Sequence, residues 1–156
     1  MPDFVPGFEY VTYIAATPEK VWQALTSREI SPTYFFGRSV EIDCRVGGQF
    51  VLRMKDGKVD SQGQVVECDP PRKLSFTWKV EWLDEYRHLP EALVTFTLDP
   101  AGEATRLTFT EGHSPKLDAK YKEAGKHGWP MVLCGLKTLL ETGKPLPITP
   151  PQPPKS

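Results

Sequence analysis

The clearest pattern in the chain is a strict alternation from Lys73 to Trp82. Leu74, Phe76, Trp78, Val80 and Trp82 fall on one face, and Ser75, Thr77, Lys79 and Glu81 on the other. A period of two predicts a strand with one apolar and one wet face. Glu91 to Leu98 repeats the pattern with Ala92, Val94, Phe96 and Leu98 inward, and Asp99-Pro100-Ala101-Gly102 turns the chain. Thr105 to Glu111 follows with Leu107 and Phe109 inward. Upstream, Ser39 to Cys44, Gln49 to Met54 and Asp60 to Cys68 read as shorter strands, with Phe50, Leu52 and Met54 alternating against Val51 and Arg53. Gly47-Gly48 and Lys55-Asp56-Gly57-Lys58 are turn signals. Asp69-Pro70-Pro71 forces a corner, because neither proline can donate to a ladder. This spacing predicts an antiparallel meander. Phe8 to Ala16, rich in aromatic and β-branched residues, adds a strand at the start.

Helical periods flank the strands. Thr17 can cap, Pro18 suits a first helical position and Glu19 lies near the positive end of the dipole, with Val21, Trp22 and Leu25 on one face. Ser114-Pro115 predicts a short helix to about Ala124, with Leu117 and Tyr121 facing in, broken by Gly125 and Gly128. A last helix is expected from Pro130, with Val132, Leu133, Leu136, Leu139 and Leu140 in its stripe, and Gly143 and Pro145 end it. The fold class is α+β: a curved antiparallel sheet of six or seven strands, one or two short helices after the first strand, and a long C-terminal helix. That helix is the element large enough to cover the apolar face. Function is expected at the seam between them.

The segment Ile30 to Phe36 holds Tyr34-Phe35-Phe36, which cannot all point inward from one regular element. Either these rings plug the end of the core or they wall a ligand site. The same two readings apply to Phe50, Phe76, Trp78, Phe96, Phe109 and Trp129, with Leu52 and Leu133 beside them.

A length of 156 residues fits one domain, expected over residues 1–143. The tail from Lys144 to Ser156 carries six of the sixteen prolines and is expected to be extended and solvated. A net charge of −1 leaves no electrostatic footprint for nucleic acid. No apolar run is long enough for a membrane span, and Met1-Pro2-Asp3-Phe4 opens no leader pattern, so a cytoplasmic location is expected. Cys44, Cys68 and Cys134 read as small core residues of a reducing compartment, with a reactive thiol as the sharper alternative.

His88, His113 and His127 form no metal-binding pair on one helix, and no Cys-x-x-Cys, His-Glu-x-x-His or Gly-x-Ser-x-Gly occurs. Neither metal nor cofactor is therefore expected. The best candidates for chemistry are Glu111 and His113. Strand parity puts both on the apolar face, where a carboxylate is desolvated and could serve as acid, base or ligand anchor. If the strand ends sooner, both stand in solvent at the rim. Asp84, Glu85, Arg87 and His88 form either a solvated cluster or a lid over the pocket mouth.

Several separated runs resemble one family: Tyr13-Ile14-Ala15-Ala16-Thr17-Pro18-Glu19-Lys20-Val21-Trp22, then Gly47-Gly48-Gln49-Phe50, then Asp69-Pro70-Pro71-Arg72-Lys73-Leu74-Ser75-Phe76-Thr77-Trp78, and the closing Gly128-Trp129 to Leu140. They resemble the START/Bet v 1 superfamily (SRPBCC), and within it the branch named after the activator of Hsp90 ATPase. The resemblance spans about residues 8 to 143. It implies a helix-grip fold whose sheet and C-terminal helix enclose a pocket for lipids, polyketides, steroids or other apolar ligands. The expected ligand-binding residues are Phe35, Phe36, Phe50, Leu52, Phe76, Trp78, Phe96, Phe109, Glu111, Trp129 and Leu133. The alternatives are an enzyme of cyclase or hydrolase type using Glu111, and a protein-interaction domain. The eukaryotic namesake has an extra N-terminal chaperone-binding domain for which this chain has no length, so a chaperone partner ranks below a small apolar ligand. A monomer or weak dimer is expected. Where relatives commonly carry one or two tryptophans after the first helix, this chain has Tyr34-Phe35-Phe36.

Overall fold

The computed structural model describes residues 4–149. Seven strands form one antiparallel sheet: β1 (Val5–Ile14), β2 (Ser39–Ile42), β3 (Gln49–Arg53), β4 (Val59–Asp69), β5 (Lys73–Val80), β6 (Ala92–Ala101) and β7 (Ala104–His113), in the order β1-β7-β6-β5-β4-β3-β2. The chain leaves one edge at β1, crosses to the other edge through α1 (Pro18–Thr26) and α2 (Ser31–Tyr34), and meanders back until β7 lies beside β1. A one-turn helix, α3 (Asp84–Arg87), joins β5 to β6, and α4 (Ala119–Thr142) packs against β1, α1 and α2. This is the helix-grip arrangement.

Local chemistry explains the elements. Thr17 caps α1 by accepting from Lys20 N at 3.3 Å, Pro18 fills its first turn, and Val21, Ala24 and Leu25 are buried. At the β3–β4 hairpin, Gly57 takes a φ of +89°, the left-handed region open to glycine, and its N donates to Met54 O at 2.9 Å. β6 keeps strict alternation, burying Ala92, Val94, Phe96 and Leu98.

Four expectations are corrected. The C-terminal region forms one helix: α4 starts after the Asp118 cap and runs through Gly125, Gly128 and Pro130 to Gly143, whose left-handed φ of +77° ends it. Proline removes one helical hydrogen bond at a cost of about 3 kcal/mol, but burial of Trp129, Val132, Leu133 and Leu136 on either side of it holds the helix together. Ser114 to Asp118 is a turn instead.

β5 ends at Val80, so Trp82 leaves the apolar face and is 39% exposed, with the Arg38 guanidinium 5.6 Å from its ring centre. Hydrogen bonds from Glu81 N and Trp82 N to Asp60 O pull the chain aside there. The face of β5 expected to be wet is also partly covered: Ser75 and Thr77 are buried, Ser75 paired with the Thr95 hydroxyl at 2.9 Å and Thr77 accepting from Gln64 N at 2.9 Å.

Cys44 and Cys68, expected as free core thiols, form a disulfide with a Cα–Cα distance of 5.5 Å, and Cys44 is exposed. The β2–β3 connection folds back on β4 through Gly47 N to Val65 O and Val65 N to Gly48 O, each 2.8 Å, which brings the two cysteines together. Cys134 is free. Of the proline-rich tail, Leu146 and Ile148 line a groove with Pro32, Phe36, Met131 and Gly135, and residues 150–156 lie outside the described residues.

Candidate functional site

The inward positions of β3, β5, β6 and β7 carry Phe50, Phe76, Trp78, Phe96 and Phe109, and α4 lays Trp129 across them. Phe50 and Phe76 stack at 4.0 Å, Phe96 faces Phe109 across the strand pair at 5.4 Å, and Trp129 meets Phe109 at 4.5 Å and Trp78 at 5.2 Å. Phe35, just after α2, stacks on Trp78 at 6.3 Å and sets its edge toward Trp129 at 5.7 Å. The rings therefore form one continuous cluster running from α2 through the sheet to α4.

Little space is left among them. A cavity of about 20 Å³ is lined by Phe35, Phe50, Phe76, Phe96, Trp129 and Leu133, together with Leu25, Tyr34, Val40, Ile42, Leu74 and Val132. That is room for about one water molecule. Of the remaining expected ligand residues, Leu52, Trp78 and Phe109 belong to the surrounding core, while Phe36 has a left-handed φ of +54° and lines the groove between α2 and α4. Val132, which the sequence placed in the apolar stripe of the last helix but not among the ligand-binding residues, lines the cavity three positions after Trp129, on the same helical face. Tyr34 was visible only as part of an aromatic run; its hydroxyl donates to Ala24 O at 2.7 Å.

The polar centre of the seam comes from β7. Because the strand continues to His113, Glu111 and His113 both point to the apolar side and are 5% and 4% exposed, so the solvent-rim alternative is overturned. Trp129 Nε1 donates to Glu111 Oε2 at 2.9 Å. His113 Nε2 lies 3.1 Å from Glu111 Oε1 without hydrogen-bond alignment, which leaves Oε1 and both imidazole nitrogens buried and without a hydrogen-bond partner. Such unpaired groups cost about 1–3 kcal/mol each in the interior. A bulge between Pro6 and Phe8 brings Gly7 against the His113 ring, where a Cβ would overlap the imidazole. Gly7 carried no signal in the sequence, since that close approach is made by the β1–β7 pairing.

A clasp joins α3 to the first turn of α4. Glu85 of α3 accepts from the Tyr121 hydroxyl at 2.7 Å and from Lys120 Nζ at 3.0 Å, and Tyr86 meets the Tyr121 ring edge-on at 5.0 Å. Hydrogen bonds from Tyr121 and then Lys120 hold the Glu85 carboxyl below the usual carboxylate range. Asp84 and Arg87 pair with each other at 3.1 Å, and His88 is exposed. Among the described residues no group of three His, Cys, Asp or Glu side chains could hold a metal ion, and no helix is long and apolar enough to cross a membrane.

Residues 15–141 match the family described as Activator of Hsp90 ATPase homolog 1-like protein. The chain belongs to this family. Among solved structures, this member of the Hsp90 activator-like family is similar to DynU16, described as a protein in the dynemicin biosynthetic locus, with 26% identity and a TM-score of 0.73 over 93% of this chain and 49% of that one. It is similar to MLL2253 from Mesorhizobium loti, with 26% identity and a TM-score of 0.68 over 85% and 96%. An HSP90 activator from Plasmodium falciparum shares the fold, with 24% identity and a TM-score of 0.69 over 87% and 96%. Comparison with curated proteins finds no match.

Proposed function

We propose that the chain binds a small apolar or aromatic molecule in the seam between the sheet and α4. The observation that carries this reading is the aromatic cluster closed around one buried carboxylate, Glu111, whose donor is Trp129. Apolar walls with a few convergent polar groups are the usual make-up of small-molecule sites. The similarity to a protein in a biosynthetic locus points the same way. Burying about 250 Å² of ligand would contribute on the order of 6 kcal/mol before entropy costs, which by itself corresponds to a dissociation constant of about 40 μM.

With about 20 Å³ free, the ligand must displace side chains. The segment suited to give way is the N-terminal part of α4: Pro130 cannot donate to Lys126 O, Gly128 is a weak helix former, and beyond them the segment is tied to α3 by the Glu85 clasp. In the test, the native protein is titrated with fatty acids, flavonoids, steroids and polyketides while its amide spectrum is followed. Saturable shifts at Phe35, Trp78, Phe96 and Phe109 support the reading. No shifts from any compound sink it.

The filled seam favours a second reading, a protein-interaction domain, which is also what the family's description suggests for its namesake. Val11 and Tyr13, 46% and 55% exposed on the outer face of edge strand β1, are its contact candidates.

A further inference from the structure

We propose that the ligand of the seam is a planar aromatic molecule with an N–H or O–H donor on its edge, which takes the seat now held by the Trp129 indole and donates to Glu111. This rests on the binding function proposed above and names the ligand's chemistry.

The seat is defined by what fills it. The Trp129 ring lies against Phe109 at 4.5 Å, Trp78 at 5.2 Å, Phe35 at 5.7 Å and Phe96 at 6.3 Å, a set of aromatic surfaces around a flat guest. At its edge, Glu111 Oε1 faces His113 Nε2, which leaves Oε2 as the oxygen that accepts the indole N–H. Since only about 20 Å³ is free beside the ring, a guest of useful size replaces the indole rather than joining it.

Replacement imposes a chemical demand. Once the indole leaves, Glu111 Oε2 is buried without its donor, and a hydrocarbon guest would leave it so. A guest with its own N–H or O–H restores the bond. Sites built around a buried polar group reject analogues that lack the matching partner far more strongly than they sort by size. The position of Trp129 suits an exchangeable plug: Gly128 precedes it and Pro130 follows it, so its turn lacks a helical hydrogen bond, while Val132, Leu133 and Leu136 keep the rest of α4 anchored.

The test empties the seat and asks what refills it. Trp129→Ala, with folding checked by its amide spectrum, is titrated calorimetrically with indole and with benzothiophene, which has nearly the same shape and no donor. Indole is expected to bind at least tenfold more tightly, and that preference is expected to vanish when Glu111→Leu is added. Equal affinities, or no binding of either compound to the folded variant, overturn the proposal. Should Trp129→Ala not fold, Trp129→Leu titrated with pyrrole and thiophene is held to the same outcomes. Selective refilling in the variant with no ligand found for the native protein would sink the binding function but leave the donor rule. Native binding without selective refilling would do the reverse.

Discussion

Arg38 Nε donates to Asp60 Oδ2 at 2.6 Å, and the same guanidinium donates through Nη1 to Phe36 O at 3.1 Å. The pair pins the end of the aromatic run to the start of β4, with the two side chains 22% and 7% exposed, and Ser61 Oγ gives Asp60 a second donor at 2.7 Å. Removing one member of a buried pair strands the other. Arg38→Ala is expected to destabilise the fold by about 3 kcal/mol and to loosen Phe35 from Trp78. Urea unfolding and the Phe35 ring signals check both.

The alkaline limb of stability is set by tyrosines. Burial pushes the Tyr34 hydroxyl above the ordinary phenol range, and burial followed by the Glu85 charge pushes Tyr86 up to about 12 from 10.0. A raised folded-state pKa means that the contribution is complete below pH 10 and is lost as pH rises through the folded value. Stability is therefore expected to be flat in this respect up to about pH 10 and to fall above it. Tyr34→Phe loses about 1 kcal/mol with the bond to Ala24 O, and its stability is expected to fall less steeply above pH 10. Denaturation series from pH 8 to 12 test this.

Pro130 weakens α4 where Trp129 sits. Pro130→Ala is expected to raise stability by up to about 3 kcal/mol and to slow amide exchange across residues 119–128. Ligand association is expected to slow with it, because the turn that must open is better bonded. Thermal melts, exchange rates and stopped-flow binding measure the three effects.

Cys44 and Cys68 close a loop with a sequence separation of 24. Reduction, or Cys44→Ser, is expected to cost about 3 kcal/mol through the unfolded state. Unfolding with and without a phosphine reductant measures it, and mass analysis of the unreduced protein, lighter by two hydrogens, verifies the pair.

Glu111→Gln distinguishes binding from catalysis. Glutamine keeps an acceptor for an N–H, so a binder is expected to hold its ligand within about threefold, whereas an acid–base enzyme would lose turnover. Affinity and product formation measured on the same samples decide between them.

How much was legible in the chain follows from the range of each signal. The alternation in Leu74 to Trp78 and Ala92 to Leu98, the Thr17 cap and the Leu133 to Leu140 stripe act between near neighbours, and they specified a sheet, its apolar face and the helix that covers it. Where elements end depended on distant partners. β7 reaches His113 because Val5 and Pro6 pair with its last residues, and that pairing buries Glu111 and His113. Trp82 leaves the sheet because Asp60 O captures its backbone. The Glu111–Trp129 bond, the Gly7 contact and the Cys44–Cys68 link join residues far apart in the chain, so only the closed tertiary fold brings them together. The sequence by itself determined which side chains are apolar and on which face they stand. The tertiary structure decided that they fill their own seam and leave one carboxylate inside it, because packing among four strands and a helix is a property of their joint geometry and of no single segment.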